Sequence, residues 1–89
     1  MSEKSIKIVI LDTQGQIYVY PNSWVDMDIT LNDLVDAIKE ERELRGEYEI
    51  YVSINNMNQK LSNLRIRAKD ISGIVILPTS MRRPKVRLG

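Results

Sequence analysis

The chain has 89 residues and a net charge of +1, and it contains neither histidine nor cysteine. A single domain near the lower size limit for one core is implied, held by packing alone because no disulfide can form. The commonest nucleophiles, proton shuttles and soft metal ligands are missing, so a non-catalytic binding domain without metal or cofactor is expected.

The near-zero net charge conceals a polarity along the chain. Residues 21–49 hold nine acids against three bases, and residues 60–89 hold eight bases against Asp70 alone. The two halves either attract each other within one fold or present acidic and basic faces to partners. The longest apolar runs, Ile8–Leu11 and Ile74–Leu77, fall far short of the roughly 20 residues of a membrane span. No secretory pattern is visible after Met1, and cysteine is absent, so a cytoplasmic protein with no membrane partner is expected.

In chain order, Ile6–Leu11 alternates as a strand, Asp12-Thr13-Gln14-Gly15 has the chemistry of a type I turn or a related bulged loop, and Gln16–Tyr20 returns. Pro21 is expected to end this second strand, because it cannot donate to a ladder. Trp24, in the following connection, is either a lid over the core or an exposed anchor. A small domain favours packing its only indole. Thr30 is a suitable helix N-cap, with Asp33 and Asp36 near the positive end of the helix dipole. Leu31, Leu34, Val35 and Ile38 form an apolar stripe, and Gly46 suits a stop, which predicts a helix over Leu31–Arg45.

Tyr48–Ile54 alternates cleanly as a strand, and Asn55-Asn56-Met57-Asn58 is a polar turn tolerant of positive φ. Residues 59–71 are ambiguous: Leu61, Leu64, Ile66 and Ile71 fit a short edge strand plus a loop, or one longer strand. Ile74–Leu77 is apolar on both faces and reads as a central strand, stopped by Pro78.

The order of hairpin, capped helix, strand, polar stretch, final strand and basic tail resembles the β-grasp fold of ubiquitin-like domains. Asp28-Ile29-Thr30-Leu31-Asn32-Asp33-Leu34-Val35-Asp36-Ala37-Ile38 resembles the family's helix entry, and Leu61-Ser62-Asn63-Leu64 its passage before the last strand. The resemblance covers roughly residues 5–78 and is one of pattern. It implies an α+β fold with a mixed four- or five-stranded sheet and one helix across one face. The domain would span residues 1–79, with a flexible basic tail over 80–89. The last strand would lie beside the first.

Under that fold the core would gather Ile6, Ile8, Ile10, Ile17, Val19, Ile50, Val52, Ile54, Ile74 and Ile76 beneath Leu34, Val35 and Ile38. The open face would carry Lys7, Val9, Tyr18, Tyr20, Tyr51 and Val75, which resembles the partner-binding surface of ubiquitin-like domains. Val9, Tyr18, Tyr20, Tyr51 and Val75 are thus the candidate residues for docking a protein partner, since tyrosine supplies rigid contact area. Their other reading is cross-strand pairing that stabilises the sheet.

Two alternatives reside in the basic half. Arg65, Arg67 and Lys69 alternate and would join Arg82, Arg83, Lys85 and Arg87 in a stripe suited to phosphates, which suggests nucleic-acid binding. The tail also resembles that of conjugable modifiers, whose terminal glycine is activated. Gly89 would serve here, although Leu88 stands where that family has a second glycine. Asp26 and Asp28 are a weak pair for a hard cation and read more simply as solvent-facing loop residues. No phosphate loop, catalytic triad or EF-hand spacing occurs.

Overall fold

The structure is a computed structural model that describes residues 2–61 and 63–79. The predicted tail over 80–89, with Arg82, Arg83, Lys85, Arg87 and Gly89, lies outside the described residues. The elements are β1 (Glu3–Leu11), β2 (Ile17–Asp26), α1 (Leu31–Glu41), β3 (Tyr48–Ile54), β4 (Met57–Lys60), a 3-10 turn (Ala68–Asp70) and β5 (Gly73–Pro78). They build an α+β unit: a five-stranded mixed sheet in the order β2-β1-β5-β3-β4, with the one described α-helix against one face. The last strand lies parallel to the first, Val9 opposite Val75, and antiparallel to β3, with Tyr51 opposite Val75.

The buried layer follows the alternation of the central strands. Ile6, Ile8 and Ile10 of β1, Ile74 and Ile76 of β5, and Ile50 and Val52 of β3 meet Leu31, Leu34 and Val35 of the helix. Ile71 and Ala68, from the stretch that sequence patterning left ambiguous, are also fully buried. Of that stretch, Gln59 and Lys60 end the edge strand β4 and Ala68–Asp70 form the 3-10 turn, so it is not one long strand. β4 already begins at Met57, so Met57 and Asn58, expected in the polar turn, are strand residues paired with Ile54 and Ser53. The stretch is tied to the helix entry by backbone bonds from Leu31 N to Ile66 O and from Ala68 N to Ile29 O, each 2.9 Å. Asn55 and Asn56 take the left-handed turn positions between β3 and β4, at φ 52° and 66°. Two consecutive positive φ values are what a tight hairpin connection requires.

Four further expectations are corrected. The second strand does not stop at Pro21 but runs to Asp26. It is an edge strand, and its register slips between Ile6, opposite Ser23, and Ile8, opposite Tyr20. The extra residue is accommodated at Pro21–Asn22, so the missing N–H falls at a bulge on an edge, where it breaks no ladder bond that the sheet needs.

The side chains of β2 also face opposite to expectation. Tyr18 pairs with Ile10 and Tyr20 with Ile8, which puts both tyrosines on the helix face of the sheet. Ile17 and Val19 point to the open face instead, 63% and 53% exposed, so neither joins the core. The cause is one residue in the turn. Gly15, at φ 86°, donates to Asp12 O while Asp12 N donates to Gln16 O, the geometry of a type I turn closed by a glycine bulge. Asp12 Oδ1 secures it by accepting from the backbone N–H groups of Gln14 and Gln16, both at 2.9 Å. Leu11 therefore pairs with Ile17, not Gln16, and a one-residue change of register turns every side chain over.

Trp24, favoured above as a packed residue, is 66% exposed. The bulge at Pro21–Asn22 reverses the alternation a second time. Val25, opposite Lys4, packs against the core, and Trp24, opposite Ser5, shares the open face. Without the bulge the indole would share the tyrosines' face.

The helix starts as expected, with Thr30 Oγ1 accepting from Asp33 N at 3.2 Å, but it ends at Glu41 rather than Arg45. Glu43 donates to Glu40 O and Leu44 to Lys39 O, while Glu43 sits at φ 56°. These are the paired bonds of a Schellman motif, with Glu43 in the left-handed position usually given to glycine. The motif turns Leu44 back against the core, and Gly46, at φ 89°, makes a later bend. Left-handed backbone costs an L-residue about 1–2 kcal/mol, more than the entropy glycine gains on unfolding. Glu43→Gly is accordingly expected to stabilise the domain by roughly 0.5–1 kcal/mol. A thermal melt showing a fall in Tm instead would contradict this account of the helix end.

Candidate functional site

The register lays out the open face as rows running across the strands. Val19, Val9, Val75 and Tyr51 stand side by side on β2, β1, β5 and β3, with Lys60 of β4 opposite Tyr51. Two residues along each strand, Ile17 pairs with Leu11 and Leu77 with Glu49. In the other direction the apolar row gives way to Lys7, Gly73, Ser53 and Asn58, around a concavity of about 220 Å³ above the glycine. The helix and Leu61, Leu64, Ile66 and Ile71 pack onto the core face, on the opposite side.

Of the docking candidates, Val9, Tyr51 and Val75 are brought together in one row. Tyr18 and Tyr20 are not part of it. They lie on the helix face, where the Arg42 guanidinium sits 4.5 Å from the Tyr18 ring centre and 5.6 Å from that of Tyr20. An exposed cation over an aromatic face is worth about 0.5–1 kcal/mol, so these rings hold the helix end to the edge strand. Sequence patterning put Ile17 and Val19 in the core and favoured packing over the exposed-anchor reading for Trp24, yet all three are exposed large hydrophobics of the open face. The signal for the first two was the odd number of residues between Leu11 and Ile17, once Gly15 is read as a bulge.

Glu49 is a further surprise. Alternation along β3 puts it on the open face beside Tyr51, yet it is only 7% exposed, the one buried charged side chain among the described residues. Its Oε1 accepts from the Tyr51 hydroxyl at 3.1 Å and its Oε2 from Lys60 Nζ at 3.3 Å. At the same end of the sheet, burial and then the charge of Asp12 raise the pKa of Tyr48 above its ordinary value of 10.0. Its phenol therefore stays neutral at physiological pH.

The basic candidates are scattered by comparison. Arg65, Arg67 and Lys69 are exposed, but they lie on a loop and a 3-10 turn rather than an extended stripe. Arg67 Nη1 donates to Asp28 O at 2.7 Å, and the Lys69 carbonyl accepts from Lys4 Nζ at 3.0 Å, so both residues brace the loop. A concavity of about 420 Å³ opens between Thr30, Asn32, Leu64 and Arg65 at the helix entry. Its backbone donors are occupied, since Leu31 N bonds Ile66 O, Asn32 N bonds Leu64 O, and Asp33 N bonds Thr30 Oγ1. Asp26 Oδ1 accepts from Asp28 N at 2.9 Å, a local turn, and no group of three ligating side chains occurs among the described residues. No described helix is long and apolar enough to cross a membrane.

Comparison of the chain with protein-family models, with curated proteins and with solved structures gave no match.

Proposed function

We propose that this chain is a ubiquitin-like β-grasp domain that acts as a non-catalytic protein-interaction module, docking its partner on the open sheet face. One observation carries the reading. Val19, Val9, Val75 and Tyr51 form a continuous apolar row beside the exposed Ile17, with the exposed Trp24 beyond the Lys7 row, all on the face away from the helix. A small monomer seldom leaves so many large apolar side chains on one surface unless something binds there. The sheet order, with the parallel first and last strands at the centre, supports the β-grasp assignment.

Nucleic-acid binding is disfavoured by the structural bonds of Arg67 and by the apolar, acid-containing character of the best-formed surface. The Gly89 conjugation reading keeps only its sequence basis.

The test is a pair of substitutions at exposed edge-strand sites, Ile17→Lys with Val19→Lys. Surface positions of this kind change stability by about 0.5 kcal/mol or less, so the fold survives. Two charges in the centre of an apolar interface are expected to weaken partner binding at least tenfold, or about 1.4 kcal/mol. Photo-crosslinking from position 19 should label that partner, whereas crosslinking from Asp36, exposed on the helix, should not. Equal labelling from both positions would move the interface off the sheet.

A further inference from the structure

We infer that the β2 edge of the sheet pairs with the β2 edge of a second copy, antiparallel and two-fold about Tyr18, so that two sheets join into one. The inference concerns the chain alone and does not rest on the docking reading.

Backbone direction is the first ground. Asp12 N donates to Gln16 O, so these two form a hydrogen-bonded pair at the turn. Bonded and non-bonded pairs alternate along an antiparallel ladder. Leu11–Ile17 and Val9–Val19 are therefore non-bonded pairs, and Ile17 and Val19 turn their N–H and C=O groups away from β1. The other ladder of β1 agrees. Lys7 N donates to Ser72 O, which aims Lys7 and Val9 at β5 and leaves Ile8 and Ile10 to bond Tyr20 and Tyr18. Among the described strands none lies beyond β2.

Self-complementarity is the second ground. The pairable stretch runs from Gln16 to Tyr20, bounded by the bulge at Gly15 and by Pro21, which has no N–H. Tyr18 is its midpoint. A two-fold axis there sets Ile17 opposite Val19 of the second copy, and Val19 opposite its Ile17. Both are bonded pairs that exchange two backbone bonds each, and Tyr18 faces its own counterpart in a non-bonded pair. The bonds use main chain only. The exposed Ile17 and Val19 side chains then meet across the new ladder while staying on the open face.

The third ground is that this stretch carries no guard. Soluble sheets protect their edges by shortness, charge, proline or bulges. At the other edge, β4 is four residues long and ends in Lys60. Pro21 and the bulge guard β2 only from residue 21 onward. Gln16–Tyr20 holds no charged residue, so two copies align it without setting like charges opposite each other.

The contact is small. Five residues span about 17 Å and a sheet is roughly 10 Å thick, so each copy covers on the order of 200–400 Å². A stable complex buries about 800 Å² per partner. The pairing is thus a weak, concentration-dependent self-association.

Because the chain has no cysteine, single thiols report the register in the full-length protein. The two Tyr18 positions would lie about 4.5 Å apart at Cα, within reach of a disulfide. The two Val19 positions would be offset along the strands and about 8 Å apart, beyond that reach. On mild oxidation Tyr18→Cys is expected to form covalent dimers about tenfold faster than Val19→Cys. Random collision would give the reverse order, because position 19 is the more exposed, and that order would overturn the inference. Tyr18→Cys also gives up the Arg42 contact, so the unaltered chain supplies a second measurement. In sedimentation over the micromolar to millimolar range its mass should rise from 10.3 kDa toward twice that value and level off. Val19→Pro, which removes an outward N–H on an edge strand, should abolish the rise. A mass constant at one chain, a rise that survives Val19→Pro, or growth past two chains would overturn the two-fold pairing. No partner is present in these measurements, so such a failure leaves the docking reading intact.

Discussion

Ile71→Ala is expected to lower the unfolding free energy by about 3–4 kcal/mol, most of what a domain of this size has. Ile71 is 1% exposed and sits at the junction of the 3-10 turn with β5. Its side chain belongs to the same cluster as Leu31, Ile6 and Ile74, so it joins the helix start to the two central strands. The backbone around it is held by Ile71 N to Ala68 O at 3.2 Å and by Ser72 N to Ser53 O at 2.9 Å, so the site cannot collapse to fill the void. A cavity that stays open adds its own cost to the lost transfer energy. Leu61, from the same ambiguous stretch but only partly buried, is the control, with a loss below about 2 kcal/mol for its alanine. Urea melts measure both, with the m-value unchanged if the native state is otherwise intact. Equal losses at the two positions would mean that the 61–71 segment is not anchored where the structure puts it.

That contrast shows what periodicity can and cannot reveal. The alternation of β1, β3 and β5 is regular, and each strand pairs without slippage across the sheet centre, so their inward residues were readable from the sequence. Thr30 was readable too, because a cap is a local interaction within three residues. Ile71 was not, because its neighbours Leu64 and Ile66 follow no helix or strand period. The segment is shaped by backbone bonds to residues some forty positions away in sequence, such as Lys69 N to Met27 O.

The candidate face was half legible for a related reason. Val9, Tyr51 and Val75 lie on regular strands and were placed correctly. Strand β2 carries one extra residue in its turn and another at Pro21–Asn22, and each reverses the alternation beyond it. Tyr18 and Tyr20 consequently exchanged faces with Ile17 and Val19, and Trp24 came out into solvent. Irregularities of one residue are small in energy but decide which side of a sheet a side chain serves. The burial of Glu49 had no sequence signal at all, since an alternating Glu on a half-open strand ordinarily reads as solvated.

Gly73→Val is expected to prevent folding, and Gly73→Ala to cost about 2–3 kcal/mol. The reason is space rather than backbone freedom. A Cβ at Gly73 would lie 2.9 Å from the Lys7 carbonyl oxygen and 3.4 Å from the Lys7 Cβ. The nearest atom is main chain and cannot rotate away. Gly73 is the first residue of β5, paired with Lys7 on one side and Ser53 on the other. Relief therefore requires β1 and β5 to part, at the point where Lys7 N donates to Ser72 O at 3.1 Å. Among the described strands that pairing is the one ladder joining β2-β1 to β5-β3-β4. Gly15 is the informative comparison: it has φ 86° and nothing within 4 Å of its Cβ position. Gly15→Ala is strained in conformation but meets no atom, so its cost stays near 1–2 kcal/mol. In a domain this small 1 kcal/mol moves Tm by about 4–8 °C, so Gly73→Ala should melt some 10–20 °C below the parent. It should also melt below Gly15→Ala. The reverse order would mean that β1 and β5 are not in close register at this end, and with it the row of Val9 and Val75 on the open face would be lost.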